Sequence, residues 1–217
     1  MATFFINQPI ELGTRVNVIE RTNNYKYIKR AIDFSLAIIS IIIFSPSILI
    51  IYLLIKAQHD GPAIFKQERI GYKGRKFILY KFRTMTTNAE KNGKPQLCKD
   101  NDNRLTKVGK FLREHHLDEF PQLWNVVKGD MSFVGHRPER KYFIDQIIKY
   151  NENYELLYQL RPVLFSEATL YNGYTDTIQK MLKRLDYDLD YLNSFSFAKD
   201  IQIIYLVSLS IITGKKF

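Results

Sequence analysis

The sequence predicts an α+β protein, mainly helical, in which one membrane-embedded helix precedes a polar domain made of a small β-hairpin and several short, partly amphipathic helices. Three observations carry this. Residues 34–55 (FSLAIISIIIFSPSILIIYLLI) form 22 residues without a charge, long enough as a helix to cross a hydrocarbon core of about 30 Å. Two alternating arms, AIFKQERI and KFILYKF, flank Gly71-Tyr72-Lys73-Gly74, a hairpin pattern with glycine at both ends of the turn. Beyond residue 105, apolar residues recur at helical spacing between capping residues.

The composition, 46% hydrophobic and 25% charged over 217 residues, fits one packed domain and excludes disordered and collagen-like chains. A single cysteine, Cys98, makes neither an internal disulfide nor a cysteine-based zinc site, which points to a reducing, cytoplasmic setting. The net charge of +10 is uneven: residues 1–76 carry +6, residues 77–128 carry +4 and the remainder is neutral. Such a basic region attracts polyanions, whether nucleic acid, phosphorylated small molecules or an anionic membrane face.

The apolar run begins too late and runs too long for a secretory signal, and no small-residue cleavage site follows it. Five Lys/Arg lie within 20 residues on either side. A spanning helix normally shows a cytoplasmic excess, so the balance suits a segment that enters and leaves on one side. Ser45-Pro46-Ser47 supplies the means, because proline removes a helical N–H and the hydroxyls can bond the freed carbonyl. The chain therefore divides into a basic lead-in and interface segment (residues 1–33), a membrane-embedded, re-entrant helix (34–55) and a polar domain (56–217).

In the hairpin's second arm, alternation brings Lys81 and Arg83 to one face and Tyr80 and Phe82 to the other. Residues 88–104, with Asn92-Gly93 and Pro95, read as a surface loop. Thr106 can cap a helix bearing Val108, Phe111, Leu112 and His115. Pro121 suits the first turn of another, carrying Leu123, Trp124 and Val127 and stopped by Gly129. Residues 140–160 and 176–193 read as further helices. The last apolar stretch, from Ile201, is short for a span and suits either the membrane interface or the core.

Asp118-Glu119 falls at the junction between the two short helices. Adjacent acids before a helix start stay ionised, can ligate Mg²⁺, and include a carboxylate that can attack phosphorus; ordinary helix capping is the alternative. Lys81, Arg83, Arg137 and Arg161 sit in the tight settings YKFRTM, VGHRPE and QLRPVLF, and arginine's planar fork matches phosphate oxygens. His115 and His116 are sequence neighbours without a third ligand at metal-site spacing. GxxxxGK[ST], GxGxxG after a strand and GxSxG are all missing, which argues against the usual nucleotide-binding folds.

Four segments together resemble the bacterial sugar transferases, the monotopic phosphoglycosyl transferases. They are Lys29-Arg30-Ala31-Ile32-Asp33, PAIFKQERIGYKGRKFILYKFRTM (62–85), LTKVGKFLREHHLDEFPQLWNVVKGDMSFVGHRPE (105–139) and LDYDLDYL, and the resemblance extends over about residues 26–212. It implies transfer of a sugar-1-phosphate from a nucleotide diphospho-sugar, UDP-linked, to polyprenyl (undecaprenyl) phosphate. That reaction uses Mg²⁺, runs at the cytoplasmic face of the bacterial inner membrane, and starts polysaccharide, capsule or glycoconjugate assembly. It implies a helix broken at Ser45-Pro46, with Asp118 as the nucleophile that carries the phosphosugar and Glu119 as Mg²⁺ ligand or acid/base partner. Lys81, Arg83, Arg137, Arg161 and Asp188 would bind phosphate or substrate, and Lys29, Arg30 and Asp33 would anchor the helix mouth, making 56–217 the catalytic domain. Membrane lipid is an expected partner, nucleic acid is not, and an oligomer is compatible with the pattern.

Two stretches depart from the family pattern. Gly-Pro-Arg-Pro is replaced by Gly135-His136-Arg137-Pro138, and RPGITGWAQVNGR by RPVLFSEATLYNGY from Arg161 to Tyr174. Both lie where sugar or nucleotide contacts are expected. Two other classes compete: a membrane glycosyltransferase that passes the sugar without its phosphate and releases UDP instead of UMP, and a basic membrane adaptor or nucleic-acid binder, supported by charge alone.

Overall fold

The computed structural model describes residues 22–58, 60–90, 95–98, 102–171 and 175–213. Most of the lead-in, Asn92-Gly93 and residues 172–174 lie outside them. The mainly helical α+β class holds. Helix α1 (Thr22–Lys56) is followed by strands β1 (Ile64–Ile70) and β2 (Lys76–Phe82), helices α2 (Lys107–Glu114) and α3 (Gln122–Lys128), and strand β3 (Ser132–Val134). Then come α4 (Lys141–Ile147), β4 (Val163–Phe165), α5 (Glu167–Tyr171), α6 (Ile178–Ser194) and α7 (Phe197–Thr213).

α1 starts twelve residues before the uncharged run, so the lead-in contributes its first three turns. Those turns carry all of the helix's charges but that of Lys56 and dock on the domain. Lys29 Nζ bonds Asp200 Oδ2 at 2.6 Å, and Arg30 donates to the carbonyls of Val126 and Val127 at 2.5 and 2.8 Å. Asp33, buried, accepts the Ser132 hydroxyl at 2.5 Å. Farther along, Ala37, Ile41, Phe44, Ile48, Ile51 and Ile55 form a seam with alternating spacings of three and four. Ala37 and Ile41 enter the main core, Phe44 stacks on Phe120 at 5.0 Å, and Ile48, Ile51 and Ile55 pack with Ala63, Phe82 and Leu112. One domain thus holds α1 near both of its ends.

The opposite face of α1 is bare. Ile39, Ile42, Ile43, Leu49, Ile50, Leu53 and Leu54 are each more than half exposed. At about 1.5–3 kcal/mol per large aliphatic side chain fully removed from water, moving this face into lipid is worth on the order of 10 kcal/mol. Through Pro46 the helix remains helical instead of opening into a loop.

The hairpin forms as its pattern predicts, antiparallel with Ile64 opposite Phe82 and Ile70 opposite Lys76. Its turn places Lys73 and Gly74 at φ 55° and 69°, a left-handed pair for which glycine is the low-cost residue. The predicted helix over 140–160 is instead two pieces. α4 ends near Ile147, and after Tyr150 the Asn151 side chain accepts from the Asn153 N–H and opens a 3₁₀ run, Glu152–Gln159. Asparagine favours such local bonds over helix continuation. The sequence reading contains no counterpart of the parallel pair β3–β4, joining Ser132 to Val163 and Val134 to Phe165; three-residue strands leave too short a period to detect. α7 packs one face of the last apolar stretch into the core and leaves the other exposed. Ile203 and Val207 are buried in the main core, while Ile201, Tyr205 and Leu209 form an exposed apolar stripe.

Candidate active site

α2 begins as predicted, with the Thr106 hydroxyl accepting the Gly109 N–H at 2.9 Å. Its end is abrupt: His116 adopts a left-handed conformation (φ 54°), and a single 3₁₀ turn, Leu117–Glu119, leads through Pro121 into α3. The reversal drives both acids inward, where Asp118 and Glu119 are 5% and 7% exposed. β2 and the segment after β3 face them with cations.

Lys81 Nζ lies 2.7 Å from Glu119 Oε1 and 3.7 Å from Asp118 Oδ2. Arg137 Nη2 donates to Glu119 Oε1, and its Nη1 stands 3.4 Å from Oε2. The four groups sum to zero charge, and the two acids differ sharply. Burial raises the carboxyl of Asp118, a rise that Lys81 opposes and Glu119 reinforces. Burial pushes Glu119 upward too, but Arg137 and Lys81 outweigh it and hold Glu119 well below the usual carboxylate range. Glu119 is thus a fixed anion with both oxygens engaged, whereas Asp118 is the more basic acid.

The other residues singled out in the sequence fall elsewhere. Arg83 is buried and points away from the acids, donating to the Asp60 carbonyl and reaching Ile55 O at 3.4 Å, where it closes the C-terminal end of α1. Arg161 donates through Nε to Gly129 O at 2.8 Å and lies over the Tyr72 ring. With Arg30 it neutralises the carbonyl end of α3, a favoured place for cations. Asp188 is buried behind Arg137; it accepts the Ser166 hydroxyl at 2.8 Å, and burial raises it to about 7 against the pull of Arg184. His136, the first family departure, is buried and pushed down to about 3 by burial and by Arg184, so it is neutral.

Among the described residues no three His, Cys, Asp or Glu side chains converge as a metal site. Of the two acids, Asp118 is the one whose carboxylate no cation touches within 3.5 Å. This suits Mg²⁺ held by one carboxylate together with substrate phosphate oxygens, the coordination that ion prefers in phosphoryl-transfer sites, and not a cage made by protein alone.

A family model described as bacterial sugar transferase matches residues 24–214. The chain belongs to the bacterial sugar transferase family. It is 38% identical over 190 residues, 88% of this chain, to the UDP-N-acetylgalactosamine-undecaprenyl-phosphate N-acetylgalactosaminephosphotransferase of Aeromonas hydrophila. To the UDP-glucose:undecaprenyl-phosphate glucose-1-phosphate transferase of Klebsiella pneumoniae it is 39% identical over 180 residues, 82% of this chain. A Caulobacter vibrioides transferase of the same name is 36% identical over 187 residues, 85% of this chain. The chain spans 45% and 38% of the length of the first two relatives and 70% of the third. Within this bacterial sugar transferase, sequence reasoning passed over Arg69, Glu139 and Arg184, a buried charge cluster behind Arg137. The only sequence signal for it is that Glu139 closes the His136-Arg137-Pro138-Glu139 run.

Proposed function

We propose that this bacterial sugar transferase passes a sugar-1-phosphate from a UDP-sugar to undecaprenyl phosphate at the cytoplasmic face of the inner membrane, through an acyl-phosphate of the phosphosugar on Asp118. The observation that carries the reading is the buried pair Asp118–Glu119, neutralised by Lys81 and Arg137 and adjoining the apolar helix through Phe120 and Phe44. The names of the relatives supply the substrate class.

The division of labour follows from the electrostatics. An Asp118 carboxylate oxygen attacks the sugar-linked phosphorus, the bond from that phosphorus to the bridging oxygen breaks, and UMP leaves with the bridging oxygen and its electron pair. A phosphate oxygen of undecaprenyl phosphate then attacks the same phosphorus, and the bond to Asp118 breaks to regenerate the carboxylate. Covalent catalysis of this kind separates departure of a water-soluble nucleotide from arrival of a lipid. Glu119 stays ionised and holds Lys81 and Arg137 where equatorial phosphate oxygens develop charge. Mg²⁺ would be carried by Asp118 with the diphosphate, Glu119 being engaged by Lys81 and Arg137, and would neutralise the charge that builds on the leaving nucleotide.

A re-entrant path for α1 fits this reaction. A straight helix of 35 residues is about 52 Å long, and a single domain grips it at Lys29–Asp33 and again at Ile51–Ile55. That grip supports both ends lying on one side of the bilayer with the bare face of the helix in lipid; a continuous helix reaches this by lying along the leaflet, and a deeper dip needs a bend at Ser45-Pro46. The test is to incubate the purified protein with Mg²⁺, undecaprenyl phosphate and a panel of UDP-sugars. The expected products are UMP and a lipid diphospho-sugar, and Asp118→Asn abolishes turnover without loss of folding or membrane association. Release of UDP, or near-normal turnover by Asp118→Asn, overturns the reading.

A further inference from the structure

Behind Arg137 lies a second group of buried charges that takes no part in the transfer step itself. Glu139, two residues beyond Arg137, is 6% exposed. Its Oε1 accepts from Arg69 Nη1 at 2.6 Å and from the Arg140 main-chain N–H at 2.8 Å, and its Oε2 accepts from Arg184 Nη2 at 2.7 Å. Arg69 belongs to β1 and Arg184 to α6, so one carboxylate ties the hairpin and the long helix to the segment bearing Arg137. The backbone is gripped as well, with the Ile70 N–H donating to Glu139 O at 3.2 Å and Arg69 Nη1 reaching Pro138 O at 3.4 Å.

Taking three charged groups out of water gains little stability over an apolar packing of the same volume, so stability alone is a weak reason for this cluster. Placement is a better one. A guanidinium that must meet both Glu119 and a phosphate has to be fixed within a fraction of an ångström, and its own four-bond arm cannot supply that. Glu139 and its partners immobilise the backbone that directly follows the arm, at Pro138 and Glu139.

We propose that Glu139, bridged between Arg69 and Arg184, is a positioning residue that sets where the Arg137 guanidinium stands beside Glu119, and so sets how strongly the site takes a diphosphate. The inference rests on the reading of Arg137 as a phosphate-holding residue. It assigns Glu139, Arg69 and Arg184 no contact with substrate.

The experiment is a double-mutant cycle on the full chain. Glu139→Gln combined with Arg184→Met removes one charge of each sign, keeps an acceptor for Arg69 and fills the volume of Arg184; Glu139→Asp, which retracts the bridge by one methylene, serves if that pair does not fold. Each is made in the native and in the Arg137→Lys background. The readouts are kcat/KM for UMP release and the Kd for inorganic pyrophosphate by titration calorimetry, the latter serving alone if Arg137→Lys is silent. Expected is a loss of tenfold or more in kcat/KM and fivefold or more in pyrophosphate affinity in the native background, shrinking to less than twofold in Arg137→Lys. Equal losses in both backgrounds, as a general structural role would give, or no loss in the native one, overturn the proposal. If the wild type releases no UMP from any UDP-sugar while the pyrophosphate cycle is non-additive, the proposed reaction fails and the positioning role stands.

Discussion

Lys81 Nζ sits 2.7 Å from Glu119 and a full ångström farther from Asp118, so the lysine serves the acid that stays charged and leaves the more basic acid comparatively free. Lys81→Met removes one of the two cations that hold Glu119 ionised in a buried place. Turnover is expected to fall on the order of 10²-fold, the usual effect of deleting one preorganised donor to developing charge, as read by UMP release. Arg137 still faces Glu119, so stability falls less than the roughly 3–5 kcal/mol of a fully orphaned buried charge, which thermal melting checks.

Asp188 gives a pH signature with a definite sign. Burial raises its carboxyl to about 7 in the folded chain, against an ordinary value of 3.8. The folded state therefore holds the proton more tightly than the unfolded state, and Asp188 subtracts stability progressively as pH rises from about 4 to about 7. The groups facing it are Arg184 one turn earlier on α6, Ser166 and the main chain of Arg137, and none of these titrates in that window. Asp188→Asn is expected to remove the falling limb and to gain stability relative to the native chain on going from pH 5 to pH 8. The rise from 3.8 to about 7 corresponds to an upper bound on the order of 4 kcal/mol, and denaturation midpoints at the two pH values measure it.

Local chemistry made much of this molecule legible in its sequence. The Gly71–Gly74 turn with its flanking alternation, the Thr106 cap and the Gly129 stop each act over a few residues, and each stands where it was expected. The nearness of Asp118 and Glu119 needs no tertiary information, and their junction position followed from the caps on either side. What the sequence concealed depends on long-range partners. Arg83 and Arg161 look like phosphate ligands in a basic chain; in the fold both donate to carbonyls at helix ends, a favoured place for cations. Their partners, Ile55 and Gly129, lie 28 and 32 residues away, a separation no local pattern reveals. The Arg69–Glu139–Arg184 bridge is hidden for the same reason, drawing its members from β1, the segment after β3 and α6.

The apolar helix carries its own repair. Pro46 has no N–H to give to the carbonyl four residues earlier, which is that of Ile42, and the Ser45 hydroxyl donates to that same carbonyl at 2.9 Å. In lipid no water can take over the task, and an orphaned carbonyl is costly there. Ser45→Ala is therefore expected to destabilise the protein by about 1–2 kcal/mol in a bilayer or bicelle, the range for one interhelical or side-chain hydrogen bond in that medium. Pro46→Ala returns the N–H to Ile42, so Ser45→Ala made on top of it is expected to cost almost nothing. Reversible unfolding of the four members of this cycle measures the coupling; a Ser45→Ala cost that persists undiminished beside Pro46→Ala means that the hydroxyl does something other than replace the missing proline donor.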